Sequence, residues 1–464
     1  MNGPERIVVV GASLAGLRAA EALRDEGFTG ELTLIGDEPH PPYDRPPLSK
    51  AVLSGWLPAD HTLLPRVRDI AARWLLGTPA TGLDPRERRV RLADGRQVGY
   101  DRLLIATGTR ARPWPERRGG ALHGVHTLRT RDDADRLRAA LAAAPDRVLV
   151  VGAGFTGGEV ASSCRDLGLD VTVTQRSGTP LASALGGVVG AAAAHWYRDA
   201  GVDLRPHTTV HTLEGDTDGR LRRAVLSDGT AVAAEVAVVA AGALANTEWL
   251  AGSGLAADAR GLVCDEACRA LTDDGTPMPD VFVAGDVARW PHPLHPGQLV
   301  RLDHWDNAVA QARTAAHNMT HEPGDQRGHQ PLPAFWSNQF QVNLKCVGLP
   351  AVADQVVVTQ GALDQRRFVA AYGRRGRLVA AVAVDSPRVL DGYAALIEAR
   401  APFPPDLNAT DGPDRLQPVD AQFPRPAAVP RSSAIPPPTD PAPGRPPTLP
   451  TDPPTNPSAL AGHQ

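Results

Sequence analysis

The same short pattern occurs twice in this chain: an apolar, strand-like run, a glycine-rich turn and a helix-like stretch of small residues. The first copy runs from Arg6–Val10 through Gly11-Ala-Ser13-Leu14-Ala15-Gly16 into a predicted helix from Gly16 to about Glu26, and a second strand-like run follows at Glu31–Gly36. The other runs from Arg147–Val151 through Gly152-Ala-Gly154-Phe155-Thr156-Gly157 into a predicted helix through Ser162 and Leu167, with Asp170–Thr174 behind it. Short β-branched runs separated by one helix read as parallel strands joined by a crossover and covered on both faces. Two such units commit the chain to an α/β fold built on parallel sheets.

Turns of this kind suit the diphosphate of a dinucleotide, because backbone N–H groups at a helix N-terminus bind the anion and glycines let the main chain approach it closely. The second turn has all three glycines. The first has Ser13 in the middle position, which adds a side chain where contact is closest but also a hydroxyl able to bond a phosphate. Asp37, with Glu38 beside it, lies about twenty residues past the first turn, where an acid holds a ribose hydroxyl. The second unit ends instead in Thr174-Gln175-Arg176. Without an acid, and with Arg176 available for a 2′-phosphate, the pattern leans to NADPH over NADH, although an arginine at a strand end is also common on surfaces.

A net charge of -4 and a pI near 6.4 give no general attraction to nucleic acid or to an anionic membrane surface. No apolar run reaches the roughly 18 residues of a membrane span, and the strand pattern starts too soon for a signal peptide, so a cytoplasmic location is expected. The four cysteines, Cys164, Cys264, Cys268 and Cys346, read as reduced thiols; the Cys264–Cys268 spacing fits neither a CxxC motif nor a zinc site, and no metal is expected. After about Pro331 the pattern changes to runs such as Phe368–Tyr372 and Arg377–Val384 joined by a Gly- and Arg-rich turn, the mark of a third, α+β domain. Nineteen of the 44 prolines fall between Pro402 and Pro457, too many for that stretch to bury a core. The expected division is 1–113 with 244–325 as a first dinucleotide-binding domain, 114–243 as a second, 326–410 as the α+β domain and 411–464 as a disordered Pro-rich tail.

Six segments then bring a resemblance: PPYDRPPLSK (Pro41–Lys50), LLIATGTRARP (Leu103–Pro113), VVGAGFTGGEVA (Val150–Ala161), VFVAGDVA (Val281–Ala288), RLDHWDNA (Arg301–Ala308) and FWSNQ (Phe335–Gln339). In this order they resemble the FAD-dependent pyridine nucleotide reductases, whose glutathione-reductase-like fold has two Rossmann-like domains, and among them the ferredoxin reductases that serve bacterial oxygenases and haem-thiolate monooxygenases. The resemblance implies FAD at the first turn and NADH or NADPH at the second. It implies that Arg45 and Lys50 contact the flavin, with the lysine charge beside the isoalloxazine. It further implies that Ala106-Thr107-Gly108 closes the first part of the FAD site, that Arg129 reaches the flavin, and that Asp286, after Gly285 at a strand end, accepts a bond from the ribityl chain. A helix following Trp305 would aim its N-terminus at the pyrimidine edge. Trp336 would lie near the flavin, Glu159 would touch the nicotinamide, and Gly242 would join the cofactor contacts. For either tryptophan, core packing is the alternative, and for Glu159 a favourable position on the helix dipole.

The implied reaction is hydride transfer from nicotinamide to flavin, then single-electron transfer to a ferredoxin-type iron–sulfur protein, with Lys50 and Glu159 acting by position and charge. The oligomeric state stays open. A dithiol reductase on the same scaffold would carry a cysteine pair where this chain has PPLSK. An NAD(P)H oxidase, and a flavin-bearing binding protein like the apoptosis-inducing factor, remain the alternatives; for the latter the net charge is unfavourable. Arg366, Arg367, Arg374, Arg375 and Arg377 form either a solvated face or a docking patch for an acidic ferredoxin.

Overall fold

The computed structural model describes residues 4–406, apart from 296, and 418–424. Three of its sheets position the site. In the first, Pro277–Val283, Arg102–Ile105, Arg6–Val10, Glu31–Ile35 and Arg73–Leu75 lie parallel in that order, with Arg269–Leu271 antiparallel at one edge. Ile7, Val9, Leu103, Leu104 and Ile105 are fully buried, as central parallel strands covered on both faces must be. The helix Leu14–Asp25 lays Leu17, Ala20 and Leu23 into the core on one side of this sheet. A second helix, Trp305–Thr320, joins the same core through Ala308, Ala312, Ala315 and Ala316, small side chains that let the two helices approach closely.

The chain leaves this sheet after Ile105, builds the second, and returns through Arg269–Leu271 to Pro277–Val283, where Val281 pairs with Leu103. The second sheet is wholly parallel, in the order Asp203–Arg205, Val171–Thr174, Val148–Val151, Val236–Val239 and Val125–His126. The helix Phe155–Asp166 follows its glycine turn as the helix Leu14–Asp25 follows the first. The third sheet is antiparallel, with the Phe368–Tyr372 and Arg377–Val384 runs paired as a hairpin in which Arg374 faces Arg377. The helix Leu390–Glu398 covers one face through Leu390, Tyr393 and Ile397. The other face shares a core with the second unit, and there the Tyr372 hydroxyl donates to the Leu185 carbonyl at 2.7 Å. No helix among the described residues is long and apolar enough to cross a membrane.

One expectation changes in part. Residues 418–424, inside the stretch expected to be disordered, are ordered: Val419–Asp420 extends the third sheet beside Gln355–Ala362, and Ala421 is buried. The Ala421 and Gln422 carbonyls both accept from the Gly187 N–H, at 3.0 and 3.1 Å. Proline content does not register a seven-residue segment that borrows its hydrogen bonds from an existing edge. The rest of that expected tail, 411–417 and 425–464, lies outside the described residues. The arginines divide between the two ends of one strand. Arg367 and Arg374 end the same eight-residue strand, about 23 Å apart at ~3.3 Å per residue, and Arg366 pairs with Asp199 at 2.6 Å.

Candidate cofactor-binding site

At the end of Arg6–Val10 the chain turns at Gly11 with φ +118°, and a Cβ there would sit 2.1 Å from the Ala106 carbonyl oxygen. A Cβ on Gly16 would sit 1.9 Å from the Gly11 carbonyl. Both glycines are therefore steric requirements, one of the turn and one of helix-on-strand packing. The second turn repeats the geometry: Gly152 has φ +110°, and a Cβ on Gly157 would again lie 1.9 Å from the carbonyl of the first glycine. Ser13 caps the first helix in extended conformation, φ -109° and ψ -154°, as Gly154 caps the second at φ -80° and ψ -167°. Any residue adopts these angles, so serine replaces glycine here without strain. Neither cap makes a side-chain bond to its helix, and both N-termini present open N–H groups to an anion.

The first turn opens onto a cavity of about 640 Å³. Gly11, Ser13, Leu14, Ala15, Asp37, Arg45, Lys50, Ala106, Thr107, Gly108, Arg129, Gly285, Asp286, Trp305 and Trp336 all line it, together with Phe155, Thr156 and Glu159 from the second unit. Gly16 lies behind the turn as packing. Gly152, Gly154, Gly157, Gln175, Arg176 and Gly242 do not line the cavity and belong to the second turn's own surroundings.

Within the cavity several residues hold one another. Arg45 bonds the Glu38 carboxylate at 2.6 Å, the Tyr43 hydroxyl at 3.0 Å and the Arg129 carbonyl at 2.7 Å, while Tyr43 also donates to Glu38. Arg45 thus ties the wall together, and exposed Asp37 is left with an acceptor to spare. Arg129 pairs with Asp286 at 2.6 Å. Asp286 stands in the turn after Gly285, three residues beyond the strand end at Val283 rather than on it. Asp303 faces the cavity beside Asp286; the surrounding protein and then that second carboxylate raise its carboxyl to about 6, against the pull of Arg301 and Arg129. Burial lowers the neighbouring His304 to about 4. Trp305 is the first residue of its helix, and its indole N–H donates to Asp44 at 2.9 Å.

The two units meet at Glu159. Its carboxylate accepts from the Lys50 ammonium at 2.6 Å, from the Ser49 hydroxyl at 2.5 Å and from the Ser337 hydroxyl of the third sheet at 2.7 Å. Trp336, next to Ser337, is 38% exposed and stands at the rim rather than in the core. At the second turn Gln175 takes up the place of the missing acid: its side-chain oxygen accepts from the Ala153 N–H at 3.0 Å, and its nitrogen donates to Ser177. Arg176 is exposed and forms no ion pair among the described residues.

Sequence reasoning missed Tyr43, Asp44, Ser49, Asn246, Asp303, His304 and Ser337. Tyr43, Asp44 and Ser49 lie inside the PPYDRPPLSK segment, Asp303 and His304 inside RLDHWDNA and Ser337 inside FWSNQ, so their neighbourhood was visible although their partners were not. Asn246 had no such signal; it exchanges hydrogen bonds with Thr107 across the return of the chain, at 2.8 and 2.9 Å.

Residues 5–312 match the model of the pyridine nucleotide-disulphide oxidoreductases, and 334–417 match that of the reductase C-terminal domain. The chain belongs to the pyridine nucleotide-disulphide oxidoreductase family. It is 37% identical to the rhodocoxin reductase of Rhodococcus erythropolis over 87% of this chain and 92% of that one. It is 34% identical to the putidaredoxin reductase of Pseudomonas putida over 88% and 95% of the two. Its structure matches the crystal structure of a covalent putidaredoxin reductase–putidaredoxin complex with a TM-score of 0.78 and 32% identity, over 86% of this chain and 94% of that one. The disulphide of the family's title has no counterpart here: all four cysteines are free and buried, none lines the cavity, and burial pushes the Cys164 thiol up to about 12.

Proposed function

We propose that the chain is an NAD(P)H-dependent FAD oxidoreductase that passes electrons to a ferredoxin-type iron–sulfur protein, the donor in turn to an oxygenase or haem-thiolate monooxygenase. One observation carries this reading: the cavity entered from the first turn ends on Phe155, Thr156 and Glu159 of the second, so that groups held by the two turns meet beside Lys50.

The residues fit FAD at the first turn. Ala106 and Gly11 form a cradle that a single Cβ would fill, the helix N-terminus behind Ser13 is open to a diphosphate, and Asp37 is free for a ribose. The nicotinamide dinucleotide fits the second turn, where Gly154 leaves open space, and Arg176 keeps the lean to NADPH. Bound FAD supplies the conversion of a two-electron hydride donor into single electrons. Lys50 and Glu159 fix each other across the meeting point, Arg129 and Asp286 hold the adjoining wall, and the helix beginning at Trp305 turns its positive end toward the cavity. Trp336 occupies the rim on the side of the third sheet. In this reading 1–113 and 244–325 bind FAD, 114–243 bind the nicotinamide dinucleotide, 326–410 form the C-terminal domain, and the protein works in the cytoplasm. The relatives named as reductases of rhodocoxin and putidaredoxin support an iron–sulfur acceptor.

Cytochrome c reduction by the flavin-loaded protein tests the proposal. Turnover with NADPH or NADH is expected to rise at least tenfold on adding a [2Fe–2S] ferredoxin. Rapid oxygen consumption without any protein acceptor, unaffected by ferredoxin, would support an oxidase instead.

A further inference from the structure

Far from the cavity, three metal-ligating side chains converge where two helices end. Glu26 caps the C-terminus of the helix Leu14–Asp25, and His317 and His321 lie one turn apart at the C-terminal end of Trp305–Thr320. The Glu26 carboxylate is 3.1 Å from His317 Nδ1 and 3.9 Å from His321 Nε2, and all three donor atoms lie within 4.8 Å of one another.

The hydrogen bonds on the far side of each ring fix its orientation. His317 Nε2 lies 3.1 Å from the Asp325 carbonyl and His321 Nδ1 lies 2.9 Å from the His317 carbonyl. Carbonyl oxygens only accept, so these nitrogens carry an N–H. The other nitrogen of each ring, Nδ1 of His317 and Nε2 of His321, is the one turned toward Glu26. His317 Nδ1 is buried and has no hydrogen-bond partner among the described residues. The two rings stack with centroids 3.8 Å apart, which holds both of these nitrogens on the Glu26 side. A single divalent cation between the three donors could bond all of them.

We propose that Glu26, His317 and His321 bind a divalent transition-metal ion of the Zn²⁺ class. Two histidines at i and i+4 share one helix face, and with a carboxylate they supply three protein ligands, leaving a fourth position for water. At ligand bonds of about 2.0–2.2 Å a tetrahedral ion spaces its donors by roughly 3.4 Å, between the two separations found here. The backbone carbonyls on the outer nitrogens are the orienting partners that metal-bound histidines use. Both helices direct the negative end of their dipoles at this point, which favours a cation further. Imidazole ligands select Zn²⁺ and its neighbours over Mg²⁺ and Ca²⁺, which take oxygen. His317 lies twelve residues along its helix from Trp305, about 18 Å at 1.5 Å per residue, too far for the ion to share in the chemistry. The ion clamps the distal ends of two helices whose opposite ends border the cavity.

The test uses the flavin-loaded protein, stripped with a chelator and titrated with Zn²⁺ in competition with a chromophoric chelator, while the thermal midpoint is followed in parallel. One Zn²⁺ per chain with micromolar or tighter affinity is expected, together with a raised midpoint that Mg²⁺ does not produce. His321→Ala and Glu26→Gln, both at partly exposed positions, should each weaken binding at least tenfold and remove the rise, with ferricyanide reduction unchanged. No binding at micromolar Zn²⁺, or equal binding by wild type and both variants, overturns the proposal.

Discussion

The contact between Lys50 and Glu159 is the single ion pair joining the Pro41–Lys50 segment to the helix Phe155–Asp166 among the described residues that line the cavity, and a double-mutant cycle measures it. An exposed pair contributes about 0.2–1 kcal/mol, and removing one partner of a fully buried pair costs about 3–5 kcal/mol. Glu159 is 8% exposed and accepts three hydrogen bonds, whereas the Lys50 side chain is 26% exposed and keeps some water. The coupling should therefore fall between those limits, at about 2 kcal/mol. Lys50→Met, Glu159→Gln and the double variant, each loaded with flavin, are unfolded in urea and followed by tryptophan fluorescence. The double variant should be more stable than the sum of the single losses implies by about that amount, because it leaves neither charge unpaired. Both single variants should also slow flavin reduction by NADPH. Losses that add to within about 0.5 kcal/mol would refute the pairing.

Gly11→Ala drives a Cβ into the Ala106 carbonyl at a φ of +118°, so the purified variant should be colourless, as absorbance will show. Gly154→Val adds bulk where the second turn is open and should raise the KM for the nicotinamide more than tenfold with flavin content unchanged. Asp303 and His304 oppose each other in pH. The raised Asp303 carboxyl contributes stability that is lost as pH rises from about 4 through about 6, and the lowered His304 contributes stability that is lost as pH falls from about 6.5 toward 4. Asp303→Asn should therefore make urea midpoints fall more steeply than wild type between pH 6.5 and 4. Ending the chain after residue 417 should lower the thermal midpoint relative to ending it after Pro424, because Ala421 and the bonds to Gly187 are lost.

The parallel sheets were legible because central buried strands announce themselves as short β-branched runs and their turns as glycines that nothing else can replace. Gly11, Gly16, Gly152 and Gly157 all stand where a Cβ would strike backbone. Ser13 looked like a defect in the motif and is not one, since the middle position needs no special backbone angle. What the sequence withheld is long-range pairing. Arg45 turning to Glu38, and Ser337 reaching Glu159 across 178 positions, depend on which segments the fold brings together. Gln175 was read by what it lacked, and its bond to Ala153 became visible only when the turn had a shape. The edge strand at Val419 escaped for the same reason, since its partner lies more than sixty positions earlier at Val356.

Anaerobic stopped-flow mixing of the flavin-loaded protein with NADPH or NADH, in the presence of an oxidised [2Fe–2S] ferredoxin, tests the central proposal most directly. Bleaching of the flavin absorbance should come first, faster with NADPH, and reduction of the iron–sulfur centre should follow in single-electron steps. Flavin that is reduced while the iron–sulfur centre stays oxidised, and that air then reoxidises rapidly, would contradict it.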